Sequence, residues 1–162
     1  MNAIDFLEKK ISDGFIRQVK GNSYKEDLIS GDAIAVIGWS GDVFQLATEN
    51  KGKFDFAVPE SGGTLWSDNM MIPSTSTHKK NAETVMNYYY EPAVAAQVAA
   101  YVNYICPVQG AQAEMEKIDP ALAQSPYIFP DDVALSKVKV FAALSPADET
   151  KYQAAFQKAT GN

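Results

Sequence analysis

Trp66 and Asp68 stand two residues apart in the stretch GGTLWSDNMMIP, residues 62–73. The run is apolar enough to read as a strand. Strand side chains alternate faces, so the indole and the carboxylate are expected to point the same way. An unpaired carboxylate in an apolar strand costs several kcal/mol, so a partner is required. Arg17 is the chain's one arginine; it, a lysine or backbone amides would serve as a structural partner. A ligand cation is the alternative. A protonated amine over an indole face gains about 0.5–2 kcal/mol, and a carboxylate beside the ring accepts a charge-assisted hydrogen bond from the same nitrogen. Trp39 ends the apolar run AIAVIGW, just before the turn WSGD, and ligands of open α/β sheets sit outside the carboxyl ends of strands. A lone Trp there is more often core packing; the Trp66–Asp68 pair tips the balance. Tyr104, at a helix end in AAYVNYICP, is a further ring candidate. Two indoles and an acid in one cleft make a site for a primary or secondary ammonium.

Other chemistries find little support. The one cysteine, Cys106, cannot form an intramolecular disulfide, and the one histidine, His78, lies in the polar turn STSTHKK. A Ser-His-Asp arrangement or a histidine metal site is hard to build from them. The segment GWSGD misses the G-x-S-x-G elbow because Asp42 stands at its last position, and no glycine-rich phosphate loop is present. No catalytic residue, metal or cofactor is expected. The formal net charge is −6 and the pI about 4.7, with basic residues clustered only as Lys9-Lys10 and Lys79-Lys80. Such a surface cannot displace counterions from a phosphate backbone, which excludes nucleic-acid binding. No apolar run reaches the roughly 20 residues of a membrane span. The opening MNAIDFLEKKISDGF reads as an amphipathic helix with Ile4, Leu7 and Ile11 on one face, without a signal peptide's basic region and cleavage site.

The elements that must position these residues follow from periodicity and punctuation. Residues 2–13 form a helix ending near Gly14, and FIRQV a short strand. In GNSYKEDLISGD, Ser23 and Glu26 have capping-box spacing at the start of a short helix. AIAVIGW, residues 33–39, suits the covered centre of a sheet, and SGDVFQLATEN continues it as a helix. FDFAVP and TLWSDNMMIP are two more strands. After Pro73 two helices are divided at Glu91-Pro92, since proline opens the second. CPVQGAQ is a loop. Residues 110–162 read as short helices, the last capped by Ser145. The class is α/β. Three or four strands are a thin sheet for 162 residues, so the rest of the sheet is expected in another chain segment.

In order, GNSYKEDLISGDAIAVIGWSGDV, GGTLWSDNMMIP, AAQVAAYVNYICPVQGA and SPYIFPDD resemble the C-terminal half of the spermidine/putrescine-binding proteins of bacterial ABC importers. The resemblance runs from about Asp5 to the end. It implies a type II periplasmic-binding-protein-like fold, incomplete here, mainly the second lobe plus a helical segment of the first. Residues 1–66 would be a second-lobe α/β segment, 67–112 a crossover with first-lobe helices, and 113–162 a helical segment returning to the second lobe. By the same resemblance Trp39 flanks the aliphatic chain of the polyamine, Trp66 is the second stacking ring, Asp68 binds an ammonium and Tyr104 lines the cleft. Asn22 or Ser23 falls near a hydroxyl ligand. The family's glutamine near the C-terminus has no counterpart, since apolar VFAA stands there. The implied function is polyamine binding, of spermidine or putrescine, for import. The implied partners are the permease subunits of an ABC transporter and the missing N-terminal lobe. The implied location is periplasmic or extracellular, with a lipoprotein anchor as one form. The chain is then not an enzyme; alone it holds about half a site and binds weakly. A binding protein for another cationic or organic solute, or an α/β enzyme domain, are the other readings.

Overall fold

The computed structural model describes residues 2–161, which fall into two compact units. The first takes the chain up to Val36 and resumes it at Ala142; the second runs from Ile37 to Phe141.

The first unit is built on α1 (Asn2–Ser12), α2 (Tyr24–Ser30) and α9 (Pro146–Thr160). In α1 the expected face is present: Ile4, Leu7 and Ile11 are half-buried, and the helix packs on α9. Lys158 of α9 reaches Glu8 of α1 at 3.4 Å. As expected, Ser145 caps α9, its hydroxyl accepting from the Asp148 N–H at 3.2 Å, with Pro146 opening the helix. Ser23 stands at the N-cap of α2, but the capping box does not form. Its backbone is already helical (φ −68°, ψ −1°) and its side chain makes no capping bond. An N-cap hydroxyl is aimed at the first free N–H groups only from an extended backbone. Here the Ser23 carbonyl accepts from the Glu26 N–H instead, at 3.3 Å.

The second unit carries α3 (Ser40–Glu49), β1 (Gly63–Leu65), α4 (Lys79–Tyr89), α5 (Pro92–Val102), α6 (Ala111–Ile118), α7 (Pro120–Ala123), α8 (Asp132–Ser136) and β2 (Val138–Val140). Its core lies where α5 and α6 pack: Ala95, Ala96 and Ala99 from α5, Ala111 and Met115 from α6, then Ala123 and Ile128. Alanines on α5 let the helices approach closely around Met115, which like Ile128 is fully buried. The loop after α5 is tied in by the Cys106 N–H donating to the Ile128 carbonyl at 3.0 Å. Helix boundaries obey the punctuation: Pro92 starts α5, and Asp119 accepts from the Ala121 and Leu122 N–H groups to start α7.

The strands depart from expectation. One sheet forms among the described residues, β1 beside β2 in parallel, with Gly63 opposite Val138, Thr64 opposite Lys139 and Leu65 opposite Val140. FIRQV, AIAVIGW and FDFAVP have no ladder partner. AIAVIGW is the clearest correction: expected at a covered sheet centre, it leaves Ile34 and Ile37 fully exposed. A strand is defined by the neighbour that pairs with its N–H and C=O groups, and no described segment supplies one. The stretch expected as a strand through Pro73 pairs only as far as Leu65, because β2 reaches no further. β2 itself was expected as part of a helical segment.

Candidate functional site: an aromatic wall beside Asp42

The site lies within the second unit. Trp39 is the last extended residue before α3 and occupies its N-cap (φ −83°, ψ 134°). Its backbone carbonyl accepts from the Val43 N–H at 3.2 Å, so the onset of the helix fixes the direction in which the indole leaves the chain. Trp66 follows the last paired residue of β1 directly. Tyr104 comes two residues after α5. That helix is stopped by Asn103 in the left-handed conformation (φ 58°), whose N–H bonds the Ala99 carbonyl, a turn that asparagine tolerates better than most residues.

These elements bring three rings together. Trp39 and Trp66 meet edge-to-face, centroids 5.4 Å apart and planes at 73°. Trp66 and Tyr104 meet the same way at 5.6 Å and 71°. Trp66 is therefore the middle ring of a continuous wall, and each edge-to-face contact contributes about 0.5–1.5 kcal/mol beyond burial. Both indoles remain partly open, Trp39 43% and Trp66 38% exposed, more than core packing leaves.

Asp42 is the acid the sequence reading passed over, seen there only as the residue that breaks a hydrolase elbow. It lies in the first turn of α3, where the helix dipole favours a negative charge. The Tyr104 hydroxyl points to its Oδ1 at 3.5 Å, the outer limit of a hydrogen bond. Burial pushes the Tyr104 phenol above its ordinary 10.0, and the neighbouring Asp42 charge pushes it the same way. The spacing Trp-x-x-Asp across a strand-to-helix junction was the available signal: it sets an indole at the N-cap and a carboxylate in the first turn.

Asp68 is exposed and lies beyond the ladder, not within a strand. Water solvates it there, so it needs no buried partner. Arg17 is engaged in the first unit, donating to the Asp32 carbonyl at 2.9 Å. Ser23 belongs to that unit and is exposed. Chemically, the wall offers π faces to a cation, and Asp42 at its Tyr104 end offers charge to an ammonium group. No group of His, Cys, Asp and Glu among the described residues is arranged to hold a metal ion.

Residues 2–130 match the family model of the bacterial extracellular solute-binding proteins. The putrescine/agmatine-binding protein of Pseudomonas aeruginosa is 25% identical over 120 residues, 71% of this chain and 32% of that protein. The putrescine-binding periplasmic protein PotF of Escherichia coli is 28% identical over 120 residues, with the same coverage. A solved structure from Listeria monocytogenes, provisionally described as a spermidine/putrescine ABC transporter, superposes with a TM-score of 0.79 at 26% identity. It takes in 97% of this chain and 47% of that one. The fold is thus periplasmic-binding-protein-like and partial, and the chain spans about a third of the length of these curated relatives. By the match over most of its length, the chain belongs to the family of bacterial extracellular solute-binding proteins.

Proposed function

We propose that this chain is the polyamine-contacting part of an extracytoplasmic solute-binding protein serving an ABC importer. The observation that carries the reading is the half-open ring series Trp39–Trp66–Tyr104 with Asp42 against its end. A diamine such as putrescine has an aliphatic middle, which suits indole surface, and cationic ends, which suit carboxylates. In this reading Trp39 and Trp66 flank the methylene chain. Asp68 takes one ammonium, and Asp42 with the Tyr104 hydroxyl lies near the other. Names of relatives that bind putrescine, agmatine or spermidine support the ligand class.

The same reading assigns residues 1–66 to a second lobe, 67–112 to a crossover with first-lobe helices and 113–162 to the return. An N-terminal lobe is then a partner, permease subunits are another, and the working location is the periplasm or cell exterior, with a lipid anchor in some settings. The chain performs no catalysis in this role.

Because the chain holds one side of the proposed cleft, it is expected to bind putrescine and spermidine weakly, in the range of tens of micromolar or above, well short of the nanomolar-to-micromolar range of a fully buried small-ligand site. Isothermal calorimetry on the 162-residue chain measures this. Submicromolar affinity would sink the half-site idea, and no heat or fluorescence change at millimolar amine would sink the polyamine reading. Both tryptophans lie in the proposed site, so their emission reports its occupancy directly.

A further inference from the structure

Gly41 is the second residue of α3 and is buried. Its backbone is helical, and it is not among the glycines with positive φ. Alanine would adopt that conformation readily and favours a helix over glycine, so backbone freedom does not explain the residue. Space does. A Cβ at this position would stand 2.5 Å from Cε2 of Tyr104 and 2.7 Å from its Cδ2 and Cζ, distances at which carbon atoms overlap. All three nearest neighbours belong to that one ring.

We propose that Gly41 is a positioning residue for amine binding: its missing side chain is the seat that lets the Tyr104 ring lie against the first turn of α3. From that seat the hydroxyl reaches Asp42 and the ring meets Trp66. The inference rests on the reading of this wall as an amine site. With a methyl group in the seat, the helix backbone is held by its own hydrogen bonds and the side chain gives way. Tyr104 also lines a small hollow with Val98, Ala99 and Cys106, so one side of the ring is not closely packed. Its departure takes away one end of the wall and the hydroxyl beside Asp42, while Trp39 and Trp66 keep their own contact.

A double-mutant cycle in the full 162-residue chain tests this, with Gly41→Ala, Tyr104→Ala and the pair together. Near-ultraviolet circular dichroism reads the ring packing without ligand, and calorimetry reads putrescine affinity. Gly41→Ala should change the aromatic spectrum in the manner of Tyr104→Ala. It should weaken putrescine binding about tenfold, the scale of one lost ring–cation contact. In the Tyr104→Ala background the same substitution should change neither. Equal losses in both backgrounds, or an unchanged aromatic spectrum in Gly41→Ala, would overturn the proposal. Should Gly41→Ala fail to fold by far-ultraviolet dichroism while the double variant folds, the collision is the cause and the proposal stands; if both fail, it falls. A wild-type chain indifferent to putrescine would overturn the amine reading alone, and the spectra would still decide the seat.

Discussion

Tyr104 is the residue at which the candidate site touches a measurable equilibrium. Its phenol is held above the ordinary 10.0 by burial and by the Asp42 carboxylate. A tyrosine whose folded pKa is raised keeps its proton longer in the folded state than in the unfolded one. Its contribution to stability is therefore whole below pH 10 and declines as pH rises from there through the folded pKa. Tyr104→Phe should remove that share of the alkaline slope and leave stability near pH 7 little changed. Urea midpoints for both proteins between pH 9 and 12 give the comparison; parallel slopes would contradict it. At this scale the three rings of the candidate site were legible in the sequence, while Asp68 and Ser23 are not brought against them by any contact among the described residues. Trp39, Trp66 and Tyr104 were identifiable because aromatic residues at strand and helix ends are conspicuous. Gly41 and Asp42 were not, since their roles depend on a ring more than sixty positions along the chain, which no local pattern reveals.

Helices and strands were unequally readable. The divisions at Pro92 and Pro146 and the cap at Ser145 are local chemistry, carried by residues within a turn of the feature they create. Strands depend on a neighbour elsewhere in the chain. FIRQV, AIAVIGW and FDFAVP have β-type composition yet no described neighbour, whereas the three-residue β2, with little signal of its own, pairs because β1 lies beside it. Gly62 shows how tightly that pairing is specified. Its φ is 98°, and a Cβ there would run into the Lys137 carbonyl oxygen, immediately before the Gly63 N–H donates to the same oxygen at 3.2 Å. Gly62→Ala should destabilise the second unit by on the order of 2 kcal/mol or more, from left-handed strain and the collision together. Chemical denaturation with an unchanged m-value would bear this out; a loss below about 0.5 kcal/mol, the range of neutral surface substitutions, would count against it.

Across the whole molecule, apolar side chains lie in water along segments of extended backbone. Ile34 and Ile37 are fully exposed, Met71 and Phe141 largely so. Unpaired extended backbone with apolar side chains is a template for intermolecular pairing. The isolated chain should therefore self-associate as its concentration rises, and Ile34→Lys with Ile37→Lys should suppress this without loss of helix content. Sedimentation velocity across a hundredfold concentration range would register the difference; identical profiles would argue against these segments as the adhesive surface.

The parallel pairing of β1 with β2 also sets an order of events. Trp66 takes its direction from a strand whose partner is made only after everything from Ser67 to Lys137, and closing so long a loop is slow compared with forming the helices inside it. During synthesis β1 therefore stays without its partner until Val140 has left the ribosome, and the strand that directs Trp66 is completed late.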